Sequence, residues 1–106
     1  MNSRFRAPLP PLDAHAILRA HGLRADKSLG QNFLQDRSAL ERITTAAEIL
    51  PADTVLEVGS GLGALTRHLA AAAQQVIAVE LDGRLVPLLR EGLSGFTNIE
   101  IIHGDM

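Results

Sequence analysis

From Thr54 onward the apolar positions follow two alternating rhythms. Thr54-Val-Leu-Glu-Val58, Gln75-Val-Ile-Ala-Val-Glu80 and Asn98-Ile-Glu-Ile-Ile-His103 are short runs rich in β-branched residues, and they predict three strands. Between them, Leu62 to Ala73, dominated by Ala and Leu, and Arg84 to Gly92 predict helices. Ahead of this alternation, Leu40, Ile43, Ala47 and Leu50 recur at helical spacing in a segment that Asp36 can cap and Pro51 should end. A shorter helix over Ala14 to Ala20 follows a second capping residue, Asp13, with Gly22 as its stop. Residues 1–12 are Pro-rich and expected to be extended or disordered, and the polar stretch Ala25 to Leu34 lacks a period and reads as a loop.

Strand–helix–strand–helix–strand spacing of this length calls for parallel pairing through right-handed crossovers, which is half of a doubly wound α/β sheet. The chain stops at Gly104-Asp105-Met106, directly after the third strand. Parallel strands that are apolar on both faces need helices and further strands to cover them. The expectation is therefore the front part of a longer protein. Its open strand edge and uncovered apolar surface should make the isolated chain prone to self-association.

Composition narrows the function classes. None of the 106 residues is a cysteine, so disulfides and thiolate metal sites are excluded. His15, His21, His68 and His103 show no metal-like pairing, and no metal site is expected. The longest apolar stretch, Leu65 to Val79, is interrupted by Thr66, Arg67, His68, Gln74 and Gln75, so no membrane span is expected. Pro8, Pro10 and Pro11 stand where a signal peptide would be apolar, and a cytoplasmic protein is the expectation. The net charge of −2 argues against a strong nucleic-acid footprint on the segment as a whole. Its distribution is uneven: residues 1–42 hold seven Lys/Arg against four Asp/Glu, and the remainder three against eight. Phe5, Phe33 and Phe96 are the only aromatics, too few for a base-stacking platform.

Candidate chemistry gathers at the ends of the predicted strands. Glu57-Val-Gly59-Ser-Gly61-Leu-Gly63 lies between a strand and a helix, where open α/β sheets bind ligands. Glycines there let the backbone approach a ligand, and the N–H groups of the following helix favour an anionic group. Glu80, about 20 residues on at the end of the second strand, stands where an acidic side chain accepts hydrogen bonds from ribose hydroxyls. Asp105 ends the third strand on the same edge, where a carboxylate could accept a bond from the exocyclic amine of an adenine. The loop alone also satisfies the loose dinucleotide fingerprint and leaves NAD open. Two observations count against NAD. Two helices and a distinctive loop precede the first strand, and Glu57 would oppose a pyrophosphate while suiting an ammonium group.

Four segments together, Asp26-Lys-Ser-Leu-Gly-Gln-Asn-Phe-Leu34, Glu57-Val-Gly-Ser-Gly-Leu-Gly-Ala-Leu-Thr66, Val79-Glu-Leu-Asp82 and Gly104-Asp105, closely resemble the rRNA adenine dimethyltransferases. The resemblance runs from about Leu23 to the last residue. The Gln-Asn-Phe-Leu segment is specific to that family, whereas the glycine loop is shared by many methyltransferases. It implies a truncated Rossmann-like domain for S-adenosylmethionine-dependent methyl transfer, its N-terminal part spanning 26–106, with an extension and short helix over 1–25. It further implies that Asn32 and Leu34 border the methionine end of the cofactor, Gly59 and Gly61 pass close to it, Glu80 holds the ribose and Asp105 meets the adenine. Gly22-Leu-Arg24, Lys27-Ser-Leu29 and Leu62-Gly-Ala-Leu-Thr66 resemble the branch acting on small-subunit rRNA. The large-subunit branch, of the macrolide-resistance type, is the alternative.

The implied reaction is dimethylation of an adenine exocyclic amine in small-subunit rRNA or a pre-ribosomal particle. In the family, the segment that orients the target amine follows the fourth strand. No catalytic residue is therefore expected in this chain, and the 106 residues alone should be inactive.

Overall fold

The computed structural model describes residues 9–10, 12–26 and 36–105. Two helices, α1 (Ala14–Ala20) and α2 (Arg37–Ala46), precede an alternating unit of β1 (Thr54–Val58), α3 (Ala64–Ala72), β2 (Gln75–Glu80), α4 (Val86–Gly92) and β3 (Ile99–His103). Both leading helices begin as their sequence predicts. Asp13 accepts from the Ala16 amide at 3.0 Å and Asp36 from the Ser38 amide at 3.0 Å, each satisfying an N–H that the first turn leaves unpaired.

The three strands form one parallel sheet in the order β1-β2-β3, with Val55 opposite Val76 and Val76 opposite Ile99. That register sorts the side chains into two faces. Val55, Val76 and Ile99 share one face and pack with Leu65, Leu69, Ala70 and Ala73 of the α3 region. Asn98 Nδ2 donates to the carbonyls of Ala70 and Ala73, closing the end of α3 against the start of β3. On the opposite face Leu56, Val58 and Ile102 are 52%, 61% and 41% exposed. β1 pairs only with β2 among the described residues and forms one edge of the sheet.

A second apolar cluster joins α1 to the loops above the sheet. Ala14 and Leu18 pack with Leu62 of the glycine loop and with Leu85, just ahead of α4. The N-terminal helix is thus seated on the carboxyl edge of the strands. At its far side, Arg37 Nη2 donates to the Leu9 carbonyl at 2.7 Å, and Arg67 donates to that of Pro10. These bonds close a cavity of about 150 Å³ lined by Leu12, Leu40, Ala64 and His68. Ligand pockets usually enclose roughly 300–1,000 Å³, so this space does not hold a nucleoside cofactor.

Helix boundaries differ from the sequence pattern at four places, the smallest being the end of α3, which stops at Ala72 and not Ala73. α2 stops at Ala46, short of Pro51, because Glu48 adopts a positive φ of 51° and breaks the ladder; Ile43 and Leu50 remain exposed. α3 starts at Ala64, not Leu62, because Gly61 and Gly63 hold left-handed φ values of 61° and 92°. α4 starts at Val86, not Arg84, because the preceding residues form a turn in which Leu85 N–H donates to the Asp82 carbonyl at 3.0 Å.

Candidate cofactor site at the carboxyl edge

The glycine loop is held by backbone before any side chain acts. The amides of Gly59 and Ser60 both donate to the Val79 carbonyl, at 2.8 and 3.1 Å, which folds the exit of β1 over the end of β2. Gly63 N–H then donates to the Ser60 carbonyl at 3.0 Å, completing a tight turn into α3. Two glycines in it serve different ends. At Gly63 a Cβ would meet Leu93 Cδ2 at 3.0 Å and Leu89 Cδ1 at 3.1 Å, so this glycine lets α4 pack beneath the loop. At Gly59 φ is 80°, and the place of a Cβ is open space out to 4 Å. There the left-handed conformation demands glycine, and the bare backbone faces a space that a ligand can enter.

Glu80 binds this loop to the next turn. Its Oε1 accepts from the Gly61 amide at 2.6 Å and its Oε2 from the Asp82 amide at 2.8 Å. The residue is 6% exposed, and these charge-assisted bonds offset part of the desolvation of its carboxylate. A carboxylate has about four lone-pair sites, so each oxygen can accept again. Glu80 fits a ribose diol as an acceptor that is already oriented. Its own carbonyl accepts from the Gly104 amide at 3.0 Å, which brings the exposed Asp105 to the same edge.

Glu57 lies on the helical face of β1, where its Oε1 accepts from the Thr66 hydroxyl at 2.5 Å. Burial pushes its carboxyl above the ordinary carboxylate range. The Thr66 bond and the nearby Ser60 hydroxyl pull it back down, and the charge of Glu80 pushes it up. A cation placed here would favour the charged form and relieve that crowding. An amino-acid ammonium matches the requirement, and a pyrophosphate opposes it.

The structure thus brings Gly59, Gly61, Glu80 and Asp105 to one edge of the sheet, with Glu57 beside them. Asn32 and Leu34 lie outside the described residues. Sequence reasoning missed the polar turn after β2. Asp82, 6% exposed, holds the guanidinium of Arg84 through Nε–Oδ1 and Nη2–Oδ2 contacts of 3.0 and 2.7 Å, and Arg84 Nη2 also lies 3.9 Å from Asp26. The signal was present as a buried-edge acid two residues before an arginine, but nothing in the spacing says that Asp26 joins them.

Comparison with known proteins gives this geometry a family. Residues 22–106 match the family model described as ribosomal RNA adenine dimethylase. Over 95 residues the chain is 52% identical to a ribosomal RNA small subunit methyltransferase A from Pelotomaculum thermopropionicum, covering 90% of this chain and 32% of that protein. Among solved structures, the 23S rRNA methyltransferase ErmE superposes with a TM-score of 0.67 at 51% identity, over 70% of this chain and 30% of ErmE. A dimethyladenosine transferase from Plasmodium falciparum does so with a TM-score of 0.65 at 34% identity, over 70% of this chain and 28% of its own. The chain spans about a third of the length of the curated relatives it matches. With the Rossmann-like sheet, the glycine loop and the family model in agreement, the chain belongs to the ribosomal RNA adenine dimethylase family.

Proposed function

We propose that this chain supplies the cofactor-binding edge of an S-adenosylmethionine-dependent enzyme that dimethylates adenine exocyclic amines in small-subunit rRNA. The observation that carries the reading is the Glu80 carboxylate, lodged between the Gly61 and Asp82 amides with acceptor capacity left on both oxygens. In this reading Glu80 receives the ribose hydroxyls, Gly59 and Gly61 let the methionine portion approach the backbone, and Asp105 receives the adenine amine. Asn32 and Leu34 border the methionine end, and Glu57 faces its ammonium group. The cofactor, when bound, supplies a methyl group on a sulfonium centre. The residues of this chain orient that group and hold water away from it, so their contribution is positioning.

The target amine is held elsewhere in the full protein, and no residue of this chain is assigned a catalytic role. The protein acts in the cytoplasm, with small-subunit rRNA or a pre-ribosomal particle as partner. Among the described residues no helix is long and apolar enough to cross a membrane. The small-subunit substrate rests on the wider alignment with the small-subunit relatives, and on Gly22-Leu-Arg24 and Leu62-Gly-Ala-Leu-Thr66. The likeness to ErmE favours a second reading, a large-subunit rRNA substrate. Transfer of labelled methyl groups by the full-length protein to purified small- and large-subunit rRNA separates the two. Label on adenines of the small-subunit rRNA supports the proposal; label confined to the large-subunit rRNA overturns it.

A further inference from the structure

The turn after β2 contains more fixed charge than a strand-to-helix connection needs. Asp82 is buried, and its carboxylate takes the Arg84 amide on Oδ1 at 3.0 Å and the Arg84 guanidinium on both oxygens. The same residue's amide is the donor that fixes Glu80 Oε2. The geometry points to Arg84 as a positioning residue for cofactor recognition: by holding Asp82 it fixes the amide that orients the Glu80 carboxylate, and by reaching Asp26 it ties the segment following α1 to that turn.

Three observations support this. First, the guanidinium is oriented before it meets Asp26, because the Nε–Oδ1, Nε–Oδ2 and Nη2–Oδ2 distances are 3.0, 3.1 and 2.7 Å. A guanidinium held through both nitrogens of one edge is a rigid spacer, which a lysine ammonium is not. Second, the turn is braced on its other side. His103 Nε2 meets the Leu81 carbonyl at 3.1 Å, and a Cβ on Gly83 would come within 3.0 Å of the His103 ring. Arg84 closes the remaining side of a turn already set by β3. Third, the edge is rich in carboxylates: Glu57 lies near Glu80, and Arg84 pairs with Asp82 and reaches Asp26. Its charge is favoured first by the Asp82 bond and then by the Asp82 and Asp26 charges. An isolated surface pair such as Arg84–Asp26 contributes little to stability. What it does here is keep an acceptor in one rotamer, and a ligand that binds an oriented acceptor loses less on ordering it.

This inference rests on Glu80 as the ribose acceptor, and the test separates the two. In the full-length protein, S-adenosylhomocysteine affinity is measured for the parent, Glu80→Ala, Arg84→Ala, Arg84→Lys, Asp26→Asn and the Glu80→Ala/Arg84→Ala pair. Arg84→Ala should weaken binding about three- to tenfold, within the range of coupling between groups of one hydrogen-bond network. Arg84→Lys should recover part of that loss, and Asp26→Asn should show the smallest loss. Because Arg84 acts through Glu80, its removal should cost nothing further once Glu80 is alanine, and kcat at saturating cofactor should be unchanged in both single Arg84 variants. A structural role alone would instead give losses that multiply in the pair. Multiplying losses, or parental affinity in Arg84→Ala and Arg84→Lys beside a weakened Glu80→Ala, overturn the inference and leave the ribose reading standing. Parental affinity in Glu80→Ala overturns both. If Arg84→Ala fails to fold, Arg84→Lys and Asp26→Asn decide the matter by the same criterion.

Discussion

The two faces of the sheet are built from alternate residues of the same strands, yet they differ in nearly every respect. On the helical face Val76 and Ala78 are fully buried, and the polar groups at its upper edge, Glu57 and Glu80, have hydrogen-bond partners. On the other face Leu56, Val58 and Ile102 lie open to solvent, while Val79 between Val58 and Ile102 is buried. Apolar character is shared; cover is far less complete on the second face. The lesson is that strand composition alone does not say which face carries function. In this molecule the candidate edge is marked by buried carboxylates that carry hydrogen-bond partners. Those pairs lie where the glycine loop, the start of α3 and the turn after β2 meet.

That contrast can be broken by mutation. The largest effect is expected on the covered face: Leu89, fully buried in α4, should cost about 2–5 kcal/mol when replaced by alanine, measured by urea unfolding. Glu80→Ala should weaken S-adenosylhomocysteine by about 1.5–3 kcal/mol in a calorimetric titration, and Glu80→Gln by less, since an amide oxygen still accepts one bond. Gly63→Ala should destabilise by about 1–3 kcal/mol, because its Cβ drives into the Leu89 and Leu93 side chains and φ of 92° disfavours any side chain. Glu57→Gln sharpens the comparison through pH. Burial raises the Glu57 carboxyl, so the native state keeps a proton that the unfolded chain has released. Parent stability should therefore fall as pH rises from the ordinary carboxylate value to the raised one and level off above it. The glutamine variant should lack that decline in denaturant titrations across the same window. Smallest of all, Leu56→Ser on the open face should change stability by no more than about 0.5 kcal/mol. It should reduce self-association of the isolated chain in light scattering across a dilution series, the behaviour expected of an exposed apolar patch.

Much of this was legible in the residues, for reasons that differ by element. β1 and β2 keep their predicted limits because each is a short β-branched run closed by glycine or an acidic turn. α1 does so because Asp13 and Gly22 mark its ends, with Gly22 at a φ of 67°. The end of α2 was not legible: the apolar spacing continues through Leu50, but Glu48 leaves the helical region while Asp53 Oδ2 takes the Leu50 amide at 2.8 Å, a local polar bond with no periodicity. In the candidate site, Gly59, Gly61 and Glu80 share the carboxyl edge because spacing along a strand–loop–helix unit fixes where they stand. The Thr66–Glu57 bond and the Asp26–Arg84–Asp82 chain were not legible, because each depends on which way a side chain turns after packing.

The central claim is that the edge formed by the glycine loop, Glu80 and Asp105 binds S-adenosylmethionine and not a dinucleotide. Titration calorimetry of the protein with S-adenosylhomocysteine and with NAD, in parallel with the Glu80→Ala variant, tests it most directly. The account predicts saturable binding of S-adenosylhomocysteine that Glu80→Ala weakens, and no measurable heat from NAD. Tighter binding of NAD, or S-adenosylhomocysteine binding indifferent to Glu80, would contradict it.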